Sequence, residues 1–189
     1  MPNITKQMDD SLDLLNREAF LRGFMEGVLG TASDISNDSA MSIVNKQLKY
    51  YHENRMEKKY GANRKAGEKF LKNNLKDKSV KQTPSGLQYK VLTQGTGATP
   101  TQAQKVKVHY EGRLVDGTVF DSSYKRGQPA TFGVTQVISG WTEALCMMPV
   151  GSKWELYIPY QLAYGDREQS AIPPFSCLIF IVEMLEIVE

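Results

Sequence analysis

The residues from Val137 to Leu145 combine bulky apolar side chains with a glycine that allows the backbone to turn. Val137 and Ile138 are β-branched and favour an extended segment, whereas Trp141 to Leu145 could form one or two helical turns. A tryptophan at the start of a short helix, directly after Gly140, could form the flat floor of an apolar binding cup. The alternative is that Trp141 is an ordinary core residue, because large aromatic side chains are usually highly buried.

The residue types that usually carry covalent or metal chemistry are sparse. The two cysteines, Cys146 and Cys177, are far apart and match no metal-binding spacing. The two histidines, His52 and His109, have no companion cluster of cysteine or histidine residues. A histidine-based catalytic triad is therefore poorly supported. We predict no metal site and no cofactor, and we expect two reduced cysteines rather than a disulfide.

The composition is that of an ordinary globular protein. Of 189 residues, 41% are hydrophobic and 23% are charged, which is enough for one or two domains. The net charge of +2 is too small to indicate nucleic acid or a membrane surface as the main partner. No apolar run approaches the length needed to span a bilayer, and the N-terminus lacks the basic-then-apolar pattern of a signal peptide.

Proline divides the chain into two parts. None occurs between Pro2 and Pro84, whereas seven of the eight prolines lie from Pro84 onward. Proline is excluded from helix interiors, so the first part is predicted to be helical and the second to consist of strands and turns. A first helix is predicted from about Arg17 to Leu29. A second is predicted to begin after residues 37–39 and to run to about Leu75 or Lys76.

The second predicted helix has an apolar stripe that fades after Arg55. One short helix cannot bury this stripe, so we predict a homodimer through the N-terminal helices. Residues 40–83 carry twelve Lys and Arg against four Asp and Glu, which we interpret as a solvated helix face rather than a nucleic-acid site. The stripe consists of Met41, Val44, Leu48 and Tyr51.

The second part of the chain predicts short strands around one short helix. Asp116-Gly117 between two apolar pairs is a strong hairpin signal. Short strands with one helix indicate an α+β fold, in which a curved antiparallel sheet wraps on the helix. An all-helical N-terminal segment with a long connecting helix precedes it. The predicted strands also include residues 87–93, 105–111, 130–134, 153–158 and 177–189.

Five motifs follow one another in this second part, and together they resemble the FKBP-type peptidyl-prolyl cis–trans isomerases. The resemblance covers about residues 85–189. It rests on Val108-His109-Tyr110-Glu111-Gly112, the segment from Asp116 to Ser123, Val137-Ile138-Ser139-Gly140-Trp141, Leu162-Ala163-Tyr164-Gly165 and Ile172-Pro173-Pro174.

The whole chain resembles the dimeric macrophage-infectivity-potentiator (Mip) branch of bacterial FKBPs. Residues 18–24 are similar to the second helix of the dimerisation module of that branch. The resemblance implies a helical dimerisation segment at residues 1–38, a long connecting helix at 39–82 and an isomerase domain at 83–189. The Tyr-Ala-x-Gly pattern of the first helix is missing, so we expect a truncated N-terminal segment. The compartment is not readable from the sequence, although a trimmed cell-envelope form is favoured over a cytoplasmic one.

The resemblance assigns a pocket and a role to each of its residues. Tyr110, Asp121 and Tyr164 are implied as catalytic residues, with Trp141 as the pocket floor. Tyr164 would donate its hydroxyl to a substrate carbonyl, and the Ile138 backbone N–H would donate to another. Asp121 would lie at the rim, paired with Arg126 and hydrogen-bonded to Tyr110. The other substrate-binding residues are implied to be Phe120, Phe132, Val137, Ile172 and Phe180.

The residue types also suit this chemistry. Resonance gives a prolyl peptide bond a rotation barrier of about 18–20 kcal/mol. The twisted amide loses that resonance and its charge separation falls, so an apolar cup with little water favours the twisted form. The aromatic rings of Tyr110, Phe120, Trp141 and Tyr164 could supply such a cup. No bond is broken, and no nucleophile, metal or cofactor is needed.

Two other functions are consistent with the sequence. The helical segment could be the cradle of a folding chaperone in which the isomerase domain is secondary, or the pocket could serve an adaptor that binds without turnover. The implied partners are proline-containing unfolded or nascent polypeptides, with macrolide immunosuppressants as pocket ligands.

Overall fold

The computed structural model describes residues 25, 29 and 37–188. The predicted first helix, Arg17 to Leu29, lies outside the described residues except for Met25 and Leu29, which are both helical. The chain divides into two compact units, residues 1–58 and 59–189. No helix of the described residues is long and apolar enough to cross a bilayer.

The connecting helix, α1, extends from Asn37 to Asn74. The predicted capping residues, 37–39, already lie within the helix, and its end falls close to the predicted Leu75 or Lys76. Leu48, from the predicted apolar stripe, is 60% exposed on the single chain, and its neighbour Tyr50 is 57% exposed. The first half of α1 therefore presents apolar surface to solvent.

The second unit is built on one antiparallel sheet of seven strands. The strand order is β1-β2-β6-β7-β3-β4, with β5 also paired to β3. A short helix, α2, connects β5 to β6, and a 3₁₀ turn at Tyr160–Leu162 follows β6. The predicted α+β fold is thereby confirmed. The elements are β1 (Val80–Gln82), β2 (Gln88–Thr93), β3 (Lys105–Leu114), β4 (Val119–Ser122), β5 (Ala130–Gly133), α2 (Ser139–Leu145), β6 (Lys153–Ile158) and β7 (Leu178–Val188).

The hydrophobic core lies between one face of the sheet and α2. Its central side chains, among them Leu145, Leu156 and Val182, have no exposed surface. Gly140 had been expected to let the chain turn, but it lies within α2, where it allows close packing. A Cβ atom at Gly140 would lie 2.6 Å from Cγ2 of Ile158 on β6, which is closer than packed carbon atoms approach.

The predicted Asp-Gly hairpin joins β3 to β4. Gly117 has φ +90, a conformation that glycine adopts at little cost. The Leu114 amide donates to the Thr118 carbonyl at 2.9 Å, which closes the turn. Strand β4 therefore folds back along β3, so that Asp121 is the partner of Gly112.

The predicted connecting helix at residues 39–82 is wrong at its C-terminal end. Helix α1 stops at Asn74, and Val80–Gln82 form the edge strand β1, paired with β2. The chain turns at Asp77, whose carboxylate accepts hydrogen bonds from the Ser79 amide at 2.9 Å and the Ser79 hydroxyl at 2.6 Å. Such a local side-chain bond competes with helix continuation. The division of the chain into three domains stays a prediction.

The second half of α1 packs on the outer face of the sheet. Alternate residues of a strand point to opposite faces, so Tyr157 on β6 and Ile179 on β7 face away from α2. Together with Val80 they form a second buried cluster, against which Phe70 and Leu71 of α1 pack. The sheet is thus covered on both faces.

We predict that a fragment of residues 83–189 is less stable than one of residues 59–189. The shorter fragment loses Phe70, Leu71 and Val80 and exposes Tyr157 and Ile179. At about 1.5–3 kcal/mol for each large apolar side chain returned to water, its free energy of unfolding should fall by about 3 kcal/mol or more. Urea denaturation of the two fragments measures this difference. Equal midpoints and slopes would show that the helix contributes no stability to the sheet.

Candidate active site

A cavity of about 870 Å³ opens beside the N-terminus of α2. Strands β3, β4, β5 and β7 contribute to its lining, together with the loop after the 3₁₀ turn. The cavity brings together ten of the eleven predicted site residues, which are Tyr110, Phe120, Asp121, Phe132, Val137, Ile138, Trp141, Tyr164, Ile172 and Phe180. The eleventh, Arg126, reaches the site through its contacts with Tyr110 and Asp121.

Trp141 lies at the bottom of the cavity and is only 4% exposed. Three rings meet it edge to face, with centroids at 5.3 Å for Tyr110, 5.8 Å for Phe132 and 5.2 Å for Phe180. This is the geometry that aromatic quadrupoles prefer. Its indole N–H is buried without a hydrogen-bond partner among the described residues. Trp141 is thus both a core residue and a cavity-lining residue, so the two interpretations of the sequence are compatible.

Phe120 and Phe180 form one wall of the cavity. Their centroids are 5.5 Å apart and their planes meet at 82°, again edge to face. Phe180 is 5% exposed and belongs to the core, whereas Phe120 is half-buried. The wall is therefore anchored in the hydrophobic core.

Tyr110, Asp121 and Arg126 form a polar group at the rim. The Tyr110 hydroxyl donates to Oδ2 of Asp121 at 2.5 Å, and Nη2 of Arg126 donates to the Tyr110 hydroxyl oxygen at 2.8 Å. Arg126 also forms an ion pair with Oδ1 of Asp121. The predicted contacts of Asp121 are thus present. The group is fixed from below, because the Ser123 hydroxyl accepts a hydrogen bond from the Tyr110 amide at 2.7 Å.

The rim group holds its charges in fixed states. Burial opposes ionisation of Asp121, but hydrogen bonds from Tyr110 and Arg126 outweigh it and place the pKa of Asp121 below its ordinary 3.8. Burial and the hydrogen bond to Asp121 raise the pKa of Tyr110 above its ordinary 10.0. The hydrogen bond to Asp121 raises the pKa of Arg126. At neutral pH the rim therefore contains a carboxylate, a neutral phenol and a guanidinium.

Ile138 and Tyr164 border the cavity on the side of α2. Ile138 has φ −60 and ψ 148 and immediately precedes the helix, so its N–H is outside the helical hydrogen-bond ladder. The Tyr164 ring lines the cavity, while its backbone carbonyl accepts a hydrogen bond from the Arg167 amide at 3.2 Å. Both donors predicted from the sequence thus border the cavity.

Eight residues of the cavity lining, six of them polar, are absent from the predicted site. Ser139 and Ala163 lie within the motifs, and the other six lie between motifs, where no periodicity marks which side chains face inward. Ser139 donates its hydroxyl to the Leu162 carbonyl at 3.2 Å and so joins α2 to the 3₁₀ turn. The residues missed are Gln136, Ser139, Gln161, Ala163, Arg167, Gln169, Ser170 and Ala171.

Comparison with known proteins identifies the family. Residues 97–185 match the family described as FKBP-type peptidyl-prolyl cis-trans isomerase, and residues 2–91 match the domain amino terminal to it. The chain is 46% identical to the FKBP-type 22 kDa peptidyl-prolyl cis-trans isomerase of Escherichia coli strain K12, over 97% of this chain and 90% of the relative. This chain belongs to the FKBP-type peptidyl-prolyl cis–trans isomerase family.

Two further comparisons extend the similarity over both parts of the chain. The outer membrane protein MIP of Legionella longbeachae is 40% identical, over 92% of this chain and 76% of the relative. The crystal structure of FkpA from Escherichia coli is similar with a TM-score of 0.69 and 33% identity, over 97% of this chain and 89% of that one. The predicted resemblance to FKBPs and their Mip branch is confirmed. The isomerase is favoured over the chaperone and the adaptor.

The cavity therefore belongs to an enzyme that accelerates rotation about X–Pro bonds. Such rotation is slow without catalysis, at tens to hundreds of seconds. The described residues contain no cluster of three or more His, Cys, Asp or Glu that could hold a metal ion.

We predict that titration of the rim group does not change kcat/KM between about pH 5 and pH 9. The pKa of Asp121 lies below its ordinary 3.8 and the pKa of Tyr110 lies above its ordinary 10.0, so neither group changes charge in this pH interval. The contribution of Asp121 to the free energy of unfolding should be complete above pH 3.8, the ordinary pKa. It should be lost as the pH falls through the lower pKa that Asp121 has in the folded protein. Exchange NMR of a prolyl peptide at several pH values tests the profile. Asp121→Asn, which cannot ionise, is the control. A titration midpoint of kcat/KM inside this pH interval that is absent from Asp121→Asn would contradict the charge state given to Asp121.

Proposed function

We propose that the cavity binds the proline of a polypeptide and stabilises its twisted amide without forming a covalent bond. The observation that carries this proposal is the aromatic cup around Trp141, with the polar group of Tyr110, Asp121 and Arg126 at its rim. The proline ring would rest on Trp141, and Phe120 and Phe180 would enclose it from the side. The substrates are proline-containing unfolded or nascent polypeptides.

Apolar surroundings favour the transition state of this reaction. The planar amide has a larger charge separation than the twisted amide, so transfer from water into an apolar cup costs the planar form more. The difference in binding between the two forms lowers the barrier. Phe132, Val137 and Ile172 contribute to the apolar lining.

Hydrogen-bond donors at the cavity edge would hold the chain on either side of the rotating bond. The Tyr164 hydroxyl and the Ile138 backbone N–H would donate to substrate carbonyls, so that one side of the bond stays fixed while the other turns. Asp121 would present its carboxylate to the substrate backbone at the rim. Tyr110 and Arg126 keep that carboxylate ionised and oriented. We assign the catalytic roles to Tyr110, Asp121 and Tyr164.

We predict that Trp141→Ala and Tyr164→Phe lower kcat/KM for a Leu-Pro-Phe peptide. Tyr164→Phe removes one neutral hydrogen bond of about 1 kcal/mol, which corresponds to about fivefold. Trp141→Ala removes the floor and should lower the rate by at least tenfold. The measurement is exchange NMR at low protein concentration, with the fold checked by circular dichroism.

Two comparisons make this experiment specific. Tyr50→Phe, on the exposed part of α1, removes a tyrosine hydroxyl far along the chain from the pocket and should leave the rate unchanged. A macrolide immunosuppressant should compete with the peptide, because its apolar ring system suits the same cup. Full activity of folded Trp141→Ala protein would place the reaction outside this cavity.

We also propose that the chain forms a homodimer through its N-terminal helices. The exposure of Leu48 and Tyr50 on α1 supports an apolar partner surface on this segment, and a second copy presents the same surface. We predict a dimer for the full chain and a monomer for residues 59–189, measured by sedimentation equilibrium. Leu48→Glu should weaken the dimer, and Leu92→Glu, at an exposed leucine of the second unit, is the matched control. A monomeric full chain would refute the proposal.

A further inference from the structure

Helix α1 contacts the loop that carries Ile172, one of the cavity-lining residues. Nδ2 of Asn63 donates to the Pro174 carbonyl at 3.2 Å. One helical turn further, Gly67 lies against Cys177, where a Cβ on the glycine would be 2.8 Å from Cys177 Cβ. Burial of Cys177 raises the pKa of its thiol to about 12. The helix thus touches residues 172–177, the pocket loop, at two points.

The residue between these two contacts has a strained backbone. Phe175 has φ 60, a left-handed conformation that is unfavourable for a bulky side chain. Its amide donates to the Gly165 carbonyl at 2.8 Å, and its ring meets Tyr160 edge to face at 5.4 Å. Strained conformations persist where the surroundings over-determine them. Phe175 is held by Gly165 and Tyr160, and α1 contacts the loop at Pro174 and Cys177 on either side of it.

The loop has little freedom between the helix contact and the cavity. Pro173 and Pro174 each fix one backbone dihedral, and a residue that precedes a proline is restricted as well. The Ser176 hydroxyl donates to the Pro173 carbonyl at 2.7 Å. Ile172 also exchanges backbone hydrogen bonds with Gln169, another cavity-lining residue. A displacement at Pro174 would therefore be transmitted to Ile172.

We propose that Asn63 and Gly67 are positioning residues of the isomerase. They hold the pocket loop on α1 so that Ile172 closes one side of the cavity. The connecting helix is then part of the active-site support, and a change in its packing alters substrate binding. The inference rests on the proposed function, because it assumes that the cavity is where the proline binds.

Two matched alanine variants of the full chain test the role of Asn63. Asn63→Ala removes the bond to Pro174, whereas Asn74→Ala removes the bond from Nδ2 of Asn74 to Oε1 of Gln88 at 3.0 Å, at the other end of the docked helix. Both variants lose one amide hydrogen bond between α1 and the same unit. A displaced wall weakens ground-state and transition-state binding together, so Asn63→Ala should raise KM about three- to tenfold with kcat nearly unchanged. Asn74→Ala should change KM by less than about twofold.

Hydrogen exchange provides an independent readout of the loop. The Phe175 amide should exchange at least about tenfold faster in Asn63→Ala than in Asn74→Ala, because its bond to Gly165 depends on the loop conformation. Equal exchange and equal KM in the two variants would overturn the inference. Faster exchange with an unchanged KM would overturn the link to substrate binding.

Complementary substitutions at Gly67 and Cys177 test the contact between these two residues. Gly67→Ala should raise KM and speed exchange of the Phe175 amide, because its new Cβ overlaps Cys177. Cys177→Gly removes that overlap, so the double variant should recover the wild-type KM to within about twofold. Failure of Cys177→Gly to restore KM would contradict the proposed contact.

Trp141→Ala in the same assay separates the two proposals. If it leaves kcat/KM unchanged, the proposed function fails, while hydrogen exchange still reports whether α1 holds the loop.

Discussion

The packing of Trp141 is the interaction on which the candidate active site depends. The rings of Tyr110 on β3, Phe132 on β5 and Phe180 on β7 pack edge to face with Trp141, which belongs to α2. Core packing therefore positions the floor of the pocket and the walls around it at the same time. The proposed catalysis breaks no bond and transfers no proton, so it requires rigid packing and exclusion of water from the fold.

The polar rim follows from strand pairing. The β3–β4 hairpin brings Asp121 opposite Gly112, so its carboxylate reaches the Tyr110 hydroxyl. Arg126, in the turn after β4, completes the group from five residues away. The three side chains satisfy one another, which fixes a carboxylate at the rim of the aromatic cup around Trp141. A lone carboxylate there would incur a desolvation cost without compensation.

Helix α1 belongs to the isomerase unit as much as to the N-terminal segment. Its second half covers Tyr157 and Ile179 on the outer face of the sheet, opposite the face that carries α2. The same half reaches Pro174 through Asn63. The second half of the helix is therefore part of the compact unit of residues 59–189.

The sequence by itself determined the α+β fold, the Asp-Gly hairpin, the family and ten of the residues that line the cavity, because these depend on local periodicity and on motifs with fixed order. It did not reveal strand β1, since three residues with one apolar side chain carry too little pattern to indicate a strand. The other eight lining residues, and the contact between Gly67 and Cys177, were decided only by the tertiary structure. Such contacts depend on how distant elements pack, and no local spacing of residue types encodes which turn residues will face a cavity or a helix.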